Sequence, residues 1–416
     1  MMSYKPPIIL DGKPVEKITA FLFAKGGNDD PAVLLANANK SFVGSYVLGM
    51  GFTFDDSNPD ATPIAEMHRL IEKHPRNTER IFPYIGGEEV NSSPTHSHHR
   101  YVINFGDMKE DEARQYPDLM AIVEEKVKPS RQELGNNGDA LRRKTRWWLW
   151  GRYTPALFKA IAQCDRVLVI SRVTQHFAFA ILPSGAVYSE RLVIFPNASF
   201  EFFCVMQSQV HEIWTRFFTT THEERLTYFP SDCFETFPFP PDWETNPTLE
   251  AAGKTYYEFR ADLMIRYNEG LTTAYNRFHD PDETNPDILK LRELHAQMDR
   301  AVLDAYGWTD IPTDCEFLLD YEDEDDSPLA PSGRGAGGEG RKRKKPWRYR
   351  WPEEVHDEVL ARLLKLNQER AEAEKLGGKS KRRKEPAKPI TPDATFPSTQ
   401  KQLDLIPPDQ EQLDLF

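Results

Sequence analysis

Arg166-Val-Leu-Val-Ile-Ser-Arg-Val-Thr-Gln-His-Phe-Ala-Phe-Ala-Ile-Leu-Pro-Ser-Gly-Ala-Val-Tyr-Ser-Glu-Arg-Leu-Val-Ile-Phe195 is the stretch that decides the fold class. It divides into three runs, 166–173, 176–182 and 186–195, each dominated by β-branched and aromatic residues. Such side chains pack well on a pleated, buried surface, so the spacing predicts three strands. The first gap is very short, and the second, Pro183-Ser184-Gly185, has the composition of a hairpin turn. Arg172, Gln175 and His176 break the apolar run, which excludes a membrane-spanning helix here.

Outside this stretch the apolar spacing becomes helical. Residues 64–74, 110–128 (closed by Pro129) and 200–219 read as helices, the last one buried. Residues 101–105 form a short strand, and Gly86-Gly87 marks a tight turn because paired glycines permit positive φ. Residues 1–60 read as short strands and turns without a self-contained core. Two further helices are expected at 255–268 and 286–306; Ile288, Leu291, Leu294, His295, Met298, Val302 and Tyr306 make one stripe of the second. An acidic and then Gly/Ser/Pro-rich segment, 322–340, reads as a flexible linker. Residues 352–375 have an amphipathic stripe of Val355, Val359, Leu363 and Leu366, with Pro352 suiting the first turn and Gly377-Gly378 the end. The class is therefore α+β: a mixed domain with a β-hairpin region, a small helical domain, and a disordered basic tail.

The chain has 416 residues and a net charge of −13, which at first argues against a nucleic-acid partner. Screening limits the reach of charge to about 8–10 Å, so local distribution matters more. Residues 141–164 hold six basic residues (Arg142, Arg143, Lys144, Arg146, Arg152, Lys159) and no acid, and seven of the ten residues 341–350 are basic. The four cysteines, Cys164, Cys204, Cys233 and Cys315, form no CxxC pair and read as reduced thiols of a cytoplasmic protein. The N-terminus lacks the order of a signal peptide.

Arg142-Arg-Lys-Thr-Arg-Trp-Trp-Leu-Trp-Gly-Arg-Tyr153 joins arginines that can neutralise phosphates to rings that can stack on bases or pack beneath the arginines. The bland alternative is a tryptophan core under a solvated face. The density of both types favours double-stranded DNA, through Arg142, Arg143, Lys144, Arg146, Trp147 and Arg152. Arg172, Thr174, Gln175 and His176 sit at the hairpin; Arg and Gln can read guanine and adenine edges bidentately. An ordinary polar turn is the alternative there. His96, His98 and His99 lie in a Ser/Thr/Pro-rich loop with no further ligand at a convincing spacing, so a solvated loop is expected and no metal site. No nucleotide loop, HExxH, GxSxG or methyltransferase Pro-Pro-aromatic turn is present, so no catalytic residue is assigned. Gln402-Leu403-Asp-Leu405-Ile406 recurs as Gln412-Leu413-Asp-Leu415-Phe416. The pattern resembles the peptide by which bacterial proteins dock on the replication sliding clamp, where two linked copies raise the effective concentration.

Several ordered stretches together resemble one family. They are Ser41-Phe-Val-Gly-Ser-Tyr-Val-Leu-Gly-Met-Gly-Phe52, Arg80-Ile-Phe-Pro-Tyr-Ile-Gly-Gly-Glu-Glu89, Tyr228-Phe-Pro-Ser-Asp-Cys-Phe-Glu-Thr-Phe-Pro-Phe-Pro240, Glu269-Gly-Leu-Thr-Thr-Ala-Tyr-Asn-Arg-Phe-His-Asp-Pro281 and Leu303-Asp-Ala-Tyr-Gly-Trp308. They look like the C-terminal half of MmeI-like type II restriction–modification enzymes, single-chain adenine-specific DNA methyltransferases, and of their phage-defence relatives. The resemblance implies a junction at 1–61, a target-recognition domain at 62–245 and a helical domain at 246–320. A linker with the basic patch follows at 321–351, an amphipathic helix at 352–376 that suits docking to a partner or packing on its own domain, and a tail at 377–416. It implies a DNA-specificity part that starts about where the family's methyltransferase domain ends. S-adenosylmethionine would then bind only on a catalytic domain outside this chain, supplied by a separate methyltransferase, with or without a nuclease. The rival readings are a methyltransferase in its own right, a sliding-clamp-associated DNA-binding protein without enzymatic function, and an inert fragment.

Overall fold

The computed structural model describes residues 8–10, 13–15, 18, 30–218, 226–319 and 347–379. Two compact units emerge among these residues: 33–199 with 218, 226–236 and 374–379, and 8–10, 13–15, 18 and 30–32 with 200–217, 237–319 and 347–373. The first carries the larger sheets, the second most of the long helices. This division differs from the sequence boundaries at 61/62 and 245/246. Residues 42–54, read as part of a junction, give strands to both four-stranded sheets of the first unit, and Phe52 and Phe54 are fully buried there.

The antiparallel sheet has the order Phe42–Val43, Leu192–Phe195, Arg166–Ser171, Ala180–Pro183. Leu168 stands opposite Phe195 on one side and Ile181 on the other. Val167 to Ile170 and Leu192 to Phe195 have no exposed surface. A strand covered on both faces is apolar at every position, which is why the sequence reads as runs and not as alternation. The second sheet has the order Val187–Tyr188, Ile81–Ile85, Arg100–Ile103, Thr53–Phe54, its first pair parallel and the others antiparallel.

The expected Pro183-Ser184-Gly185 hairpin is not formed, because its two arms enter different sheets. Val187 pairs with Tyr84, while Leu182 pairs with Val167. The turn is held locally by the Ser184 N–H on the Asp165 carbonyl at 3.0 Å and by the Tyr188 phenol on the Pro183 carbonyl. The chain also passes between sheets at Gly44-Ser45: the Gly44 N–H donates to the Leu192 carbonyl at 3.1 Å and the Ser45 N–H to Tyr188 at 2.8 Å. A Cβ at Gly44 would lie 2.1 Å from the Ser189 carbonyl oxygen, so only glycine fits this crossing.

Prolines redraw the expected helix at 110–128. It is observed as Glu110–Ala113 and Pro117–Lys126, and Pro129 lies in the first turn of Lys128–Gln132 instead of ending a helix. Gly86 is extended (φ −125°) and not left-handed; what the site requires is space, since a Cβ would meet Arg100 Nη2 at 2.9 Å.

In the helical unit, Pro247–Tyr267 and Pro286–Ala305 start at Asn246 and Asn285, whose side chains accept backbone N–H groups while proline fills the first turn. The expected helix at 200–219 is two, Phe200–Gln207 and Gln209–Phe218. Glu353–Lys379 buries Val359, Leu360, Leu363, Leu364 and Ala371, and its Asn367 exchanges hydrogen bonds with the Ala32 backbone at 2.9 and 2.8 Å. Of its apolar stripe Val359 and Leu363 are buried and Val355 and Leu366 half-buried, and the helix continues through Gly377-Gly378. Strands Glu316–Leu319 and Trp347–Arg350 pair antiparallel, so the last residues assigned to the linker are structured. The rest of that linker and the tail from residue 380 lie outside the described residues.

Candidate nucleic-acid interface

Helix Gly138–Thr145 begins at Asn137, whose side-chain oxygen accepts the Ala140 N–H at 3.2 Å. Asp139 in the first turn pairs with Arg142 and Arg143, each at 2.9 Å. Past the helix, Trp147, Trp148, Leu149 and Trp150 are all buried. The indole N–H of Trp148 reaches the Met108 carbonyl at 3.0 Å and that of Trp150 the Ile103 carbonyl at 2.9 Å. Trp147 is 4% exposed, with the Lys128 ammonium 4.7 Å from its ring centre. Trp147 therefore leaves the proposed contact set. Three tryptophans remove far more apolar surface from water as core than they could as an open platform.

What these rings anchor is a guanidinium cluster. Arg131 is 4% exposed and donates to the backbone carbonyls of Trp147 (3.2 Å), Leu149, Val47 (3.4 Å) and Leu48 (3.0 Å). Burial, and after it the like charges of Arg143 and Arg142, push its pKa down to about 10. Arg142 donates to the Gly151 carbonyl, and Arg152 exchanges both backbone hydrogen bonds with Tyr46, at 2.9 and 3.1 Å. The Tyr46 phenol accepts from Arg172 Nη1 at 3.3 Å, and the same nitrogen reaches the Glu190 carbonyl at 3.2 Å. Residues 46–48 thus join the two stretches nominated separately, 142–152 and 172–176, in one surface.

Arg142, Arg146 and Arg152 are exposed on it, and the neighbouring Arg191 side chain is 77% exposed. Arg143 and Lys144 are half-buried. Lys144 Nζ lies 3.4 Å from the Leu134 carbonyl, and Arg146 Nη2 donates to Asp107 at 3.2 Å. Of the second stretch, Arg172 is half-buried and Gln175 exposed, but Thr174 and His176 are only 8% and 4% exposed. The Thr174 hydroxyl donates to the His176 carbonyl at 2.8 Å, and Thr174 pairs with Leu226 in a short ladder. Both are corrected from surface contacts to supports of the turn that presents Gln175. The alternation is that of a strand with one face inward.

The histidine loop is more anchored than expected. His99 Nδ1 lies 3.3 Å from buried Glu89, which also accepts from Arg100 at 2.7 and 3.0 Å. Burial alone would raise the Glu89 pKa; the Arg100 hydrogen bonds and charge override it and hold it low. His98 packs edge-on to Tyr101, and burial lowers its pKa. Among the described residues, Glu353, His356 and Asp357 bring ligand atoms within 4.8 Å of one another, on an exposed turn of the helical unit and apart from any nominated residue. No helix among the described residues is long and apolar enough to cross a membrane.

Tyr46, Leu48, Arg131 and Arg191 are the members of this surface that sequence reasoning missed. Residues 41–54 contain no charge, and Arg131 stands eleven positions before Arg142, so local charge density gave no signal. The repeated Gln402–Ile406 and Gln412–Phe416 pattern lies outside the described residues.

The class defined so far is an α+β unit on two four-stranded sheets that presents a basic, turn-rich surface. The family model described as the MmeI target recognition domain matches residues 29–241, just over half of the chain, and the chain belongs to that family. None of the curated proteins matches it. Among solved structures it is similar to the type IIL restriction–modification enzyme MmeI in complex with DNA, with a TM-score of 0.56 and 17% identity. That match covers 86% of this chain and 39% of the enzyme's, so the chain spans about two fifths of that relative's length and shares its fold.

Proposed function

We propose that this chain selects the DNA target of a restriction–modification or phage-defence system of the type IIL kind. Methylation of adenine, with S-adenosylmethionine, is the work of a partner methyltransferase polypeptide, with or without a nuclease. The observation that carries this reading is the joining of Arg142, Arg152 and Arg172 through residues 46–48 within a target recognition domain. Arg142, Arg143, Lys144, Arg146 and Arg152 supply phosphate contacts, which fix register without reading sequence. Arg172 and Gln175 have the chemistry for base edges, guanine and adenine respectively. The module contributes binding energy and register in the cytoplasm, and the chemistry belongs to its partner.

Selection of random duplexes by the pure chain, alone and mixed with the methyltransferase, tests it. Enrichment of one short motif is expected, and its affinity should fall steeply with salt. Absence of any enriched motif under both conditions refutes the proposal. A second reading, a sliding-clamp-associated DNA-binding protein, is favoured by the two Gln-Leu-Asp-Leu copies. Deleting residues 402–416 should abolish function in that reading, and leave motif selection intact in the first.

A further inference from the structure

Five non-glycine residues among those described have positive φ: Asn39, Leu48, His96, Asp242 and Asn268. Four are Asn, Asp or His, types enriched in this region because a short polar side chain offsets the crowding of Cβ. Leu48, at φ 51°, has no such compensation. It is also 48% exposed, so burial does not repay the strain. A glycine would adopt this conformation freely. Strain of this kind persists only where the surroundings impose it, and it gathers at sites of function.

The surroundings of Leu48 are rigid and basic. Arg131 donates to its carbonyl at 3.0 Å and to that of Val47 at 3.4 Å, and the Gly151 N–H holds the Val47 carbonyl at 3.2 Å. The isobutyl group lies on the bare backbone of Gly151, where a Cβ would come within 2.4 Å of Leu48 Cδ1. Arg142 is bonded to the Gly151 carbonyl, and Arg152 follows in the chain. An exposed apolar side chain therefore lies on a glycine whose own carbonyl is held by the Arg142 guanidinium, a seat that lacks a side chain to make room for it.

We propose that Leu48 is an apolar wedge that enters one base step of the bound duplex. The inference rests on the DNA-target reading above. The exposed Arg142 and Arg152 nearby would meet phosphates and bring the side chain to a groove, where leucine has no hydrogen bond to offer a base edge. Its remaining contributions are contact with a thymine methyl and insertion into the stack, the role apolar side chains take in kinked complexes, and the second is the one that a rise in base fluorescence reports. A step that unstacks easily would then be preferred without any base-edge contact.

The test uses the full chain and the duplex motif recovered by selection, with 2-aminopurine placed at successive positions. Wild-type protein should raise fluorescence at one step. Leu48→Gly, which keeps the backbone conformation without the side chain, should abolish that rise. It should weaken motif binding by about tenfold while changing binding to unrelated duplex by less than about twofold. Leu48→Met should restore both signals, and an unchanged melting temperature for Leu48→Gly shows that folding is not the cause. Motif binding without a fluorescence rise at any step, or a Leu48→Gly chain indistinguishable from wild type, overturns the wedge while leaving target recognition standing. A wild-type chain that prefers no duplex overturns both.

Discussion

Replacing Arg131 with methionine tests whether one buried guanidinium organises the basic surface. The side chain is 4% exposed and its hydrogen bonds run to four backbone carbonyls, those of Val47, Leu48, Trp147 and Leu149. At about 1.5 kcal/mol for each bond from a charged donor, these contribute roughly 6 kcal/mol. Against that stands the cost of burying the charge. The fall of its pKa to about 10 corresponds to a cost on the order of 3 kcal/mol at neutral pH. The difference predicts a loss of about 3 kcal/mol for Arg131→Met. For a unit of this size that lowers the melting temperature by roughly 6–12 °C, readable by calorimetry or circular dichroism. The sign with pH follows as well. Because the folded pKa is depressed, the unfolded chain holds more protons above about pH 10, so the cost of this charge diminishes as pH rises past that value. A variant as stable as wild type, or more so, would falsify the assignment of Arg131 as the internal tie of the 47–48 and 147–149 segments.

Other outcomes can be checked with simpler measurements. Arg142→Ala and Arg152→Ala should each weaken DNA binding across all sequences and reduce the slope of log affinity against log salt by about 1; a change confined to the selected motif would contradict a phosphate role. Trp150→Phe should cost about 2–4 kcal/mol, from the Ile103 carbonyl left without the indole N–H and from the lost ring volume, and leave affinity for DNA nearly unchanged, as measured by urea melts and binding isotherms. Gly44→Ala should prevent accumulation of soluble folded protein, since its Cβ would sit 2.1 Å from the Ser189 carbonyl; normal yield and melting would refute the close crossing. Asp118 is drawn down to about 2: burial opposes this, but hydrogen bonds from Lys73, His74 and Asn77 prevail. Its stabilisation is complete above 3.8 and is lost as pH falls towards 2, so Asp118→Asn should flatten the acid limb of stability in that range.

The strands were legible where burial on both faces left an unmistakable run, as in 166–171 and 192–195. Their partners were not. Whether Val187 pairs across a turn with Leu182 or travels to Tyr84 depends on contacts a hundred residues away, and no local spacing encodes that. The long helices were legible from their stripes, and Asn246-Pro247 and Asn285-Pro286 mark starts that cap chemistry explains. The basic stretch was half legible. Arginine interleaved with tryptophan looks the same whether the rings face water or core, and only the partners of the indole N–H groups decide. Arg131 and Leu48 were invisible because one is an isolated charge and the other an ordinary aliphatic residue; each gains its role from backbone brought beside it by the fold.

The antiparallel pair of Glu316–Leu319 and Trp347–Arg350 has a practical corollary for protein engineering. The chain departs from and returns to adjacent positions, so whatever is spliced between them is tethered at both ends without stretching its host. Each doubling of such an insert adds only about 0.6 kcal/mol of closure entropy. A fluorescent protein or an affinity tag grafted there should report on the helical unit from within the polypeptide, sparing both termini for other fusions.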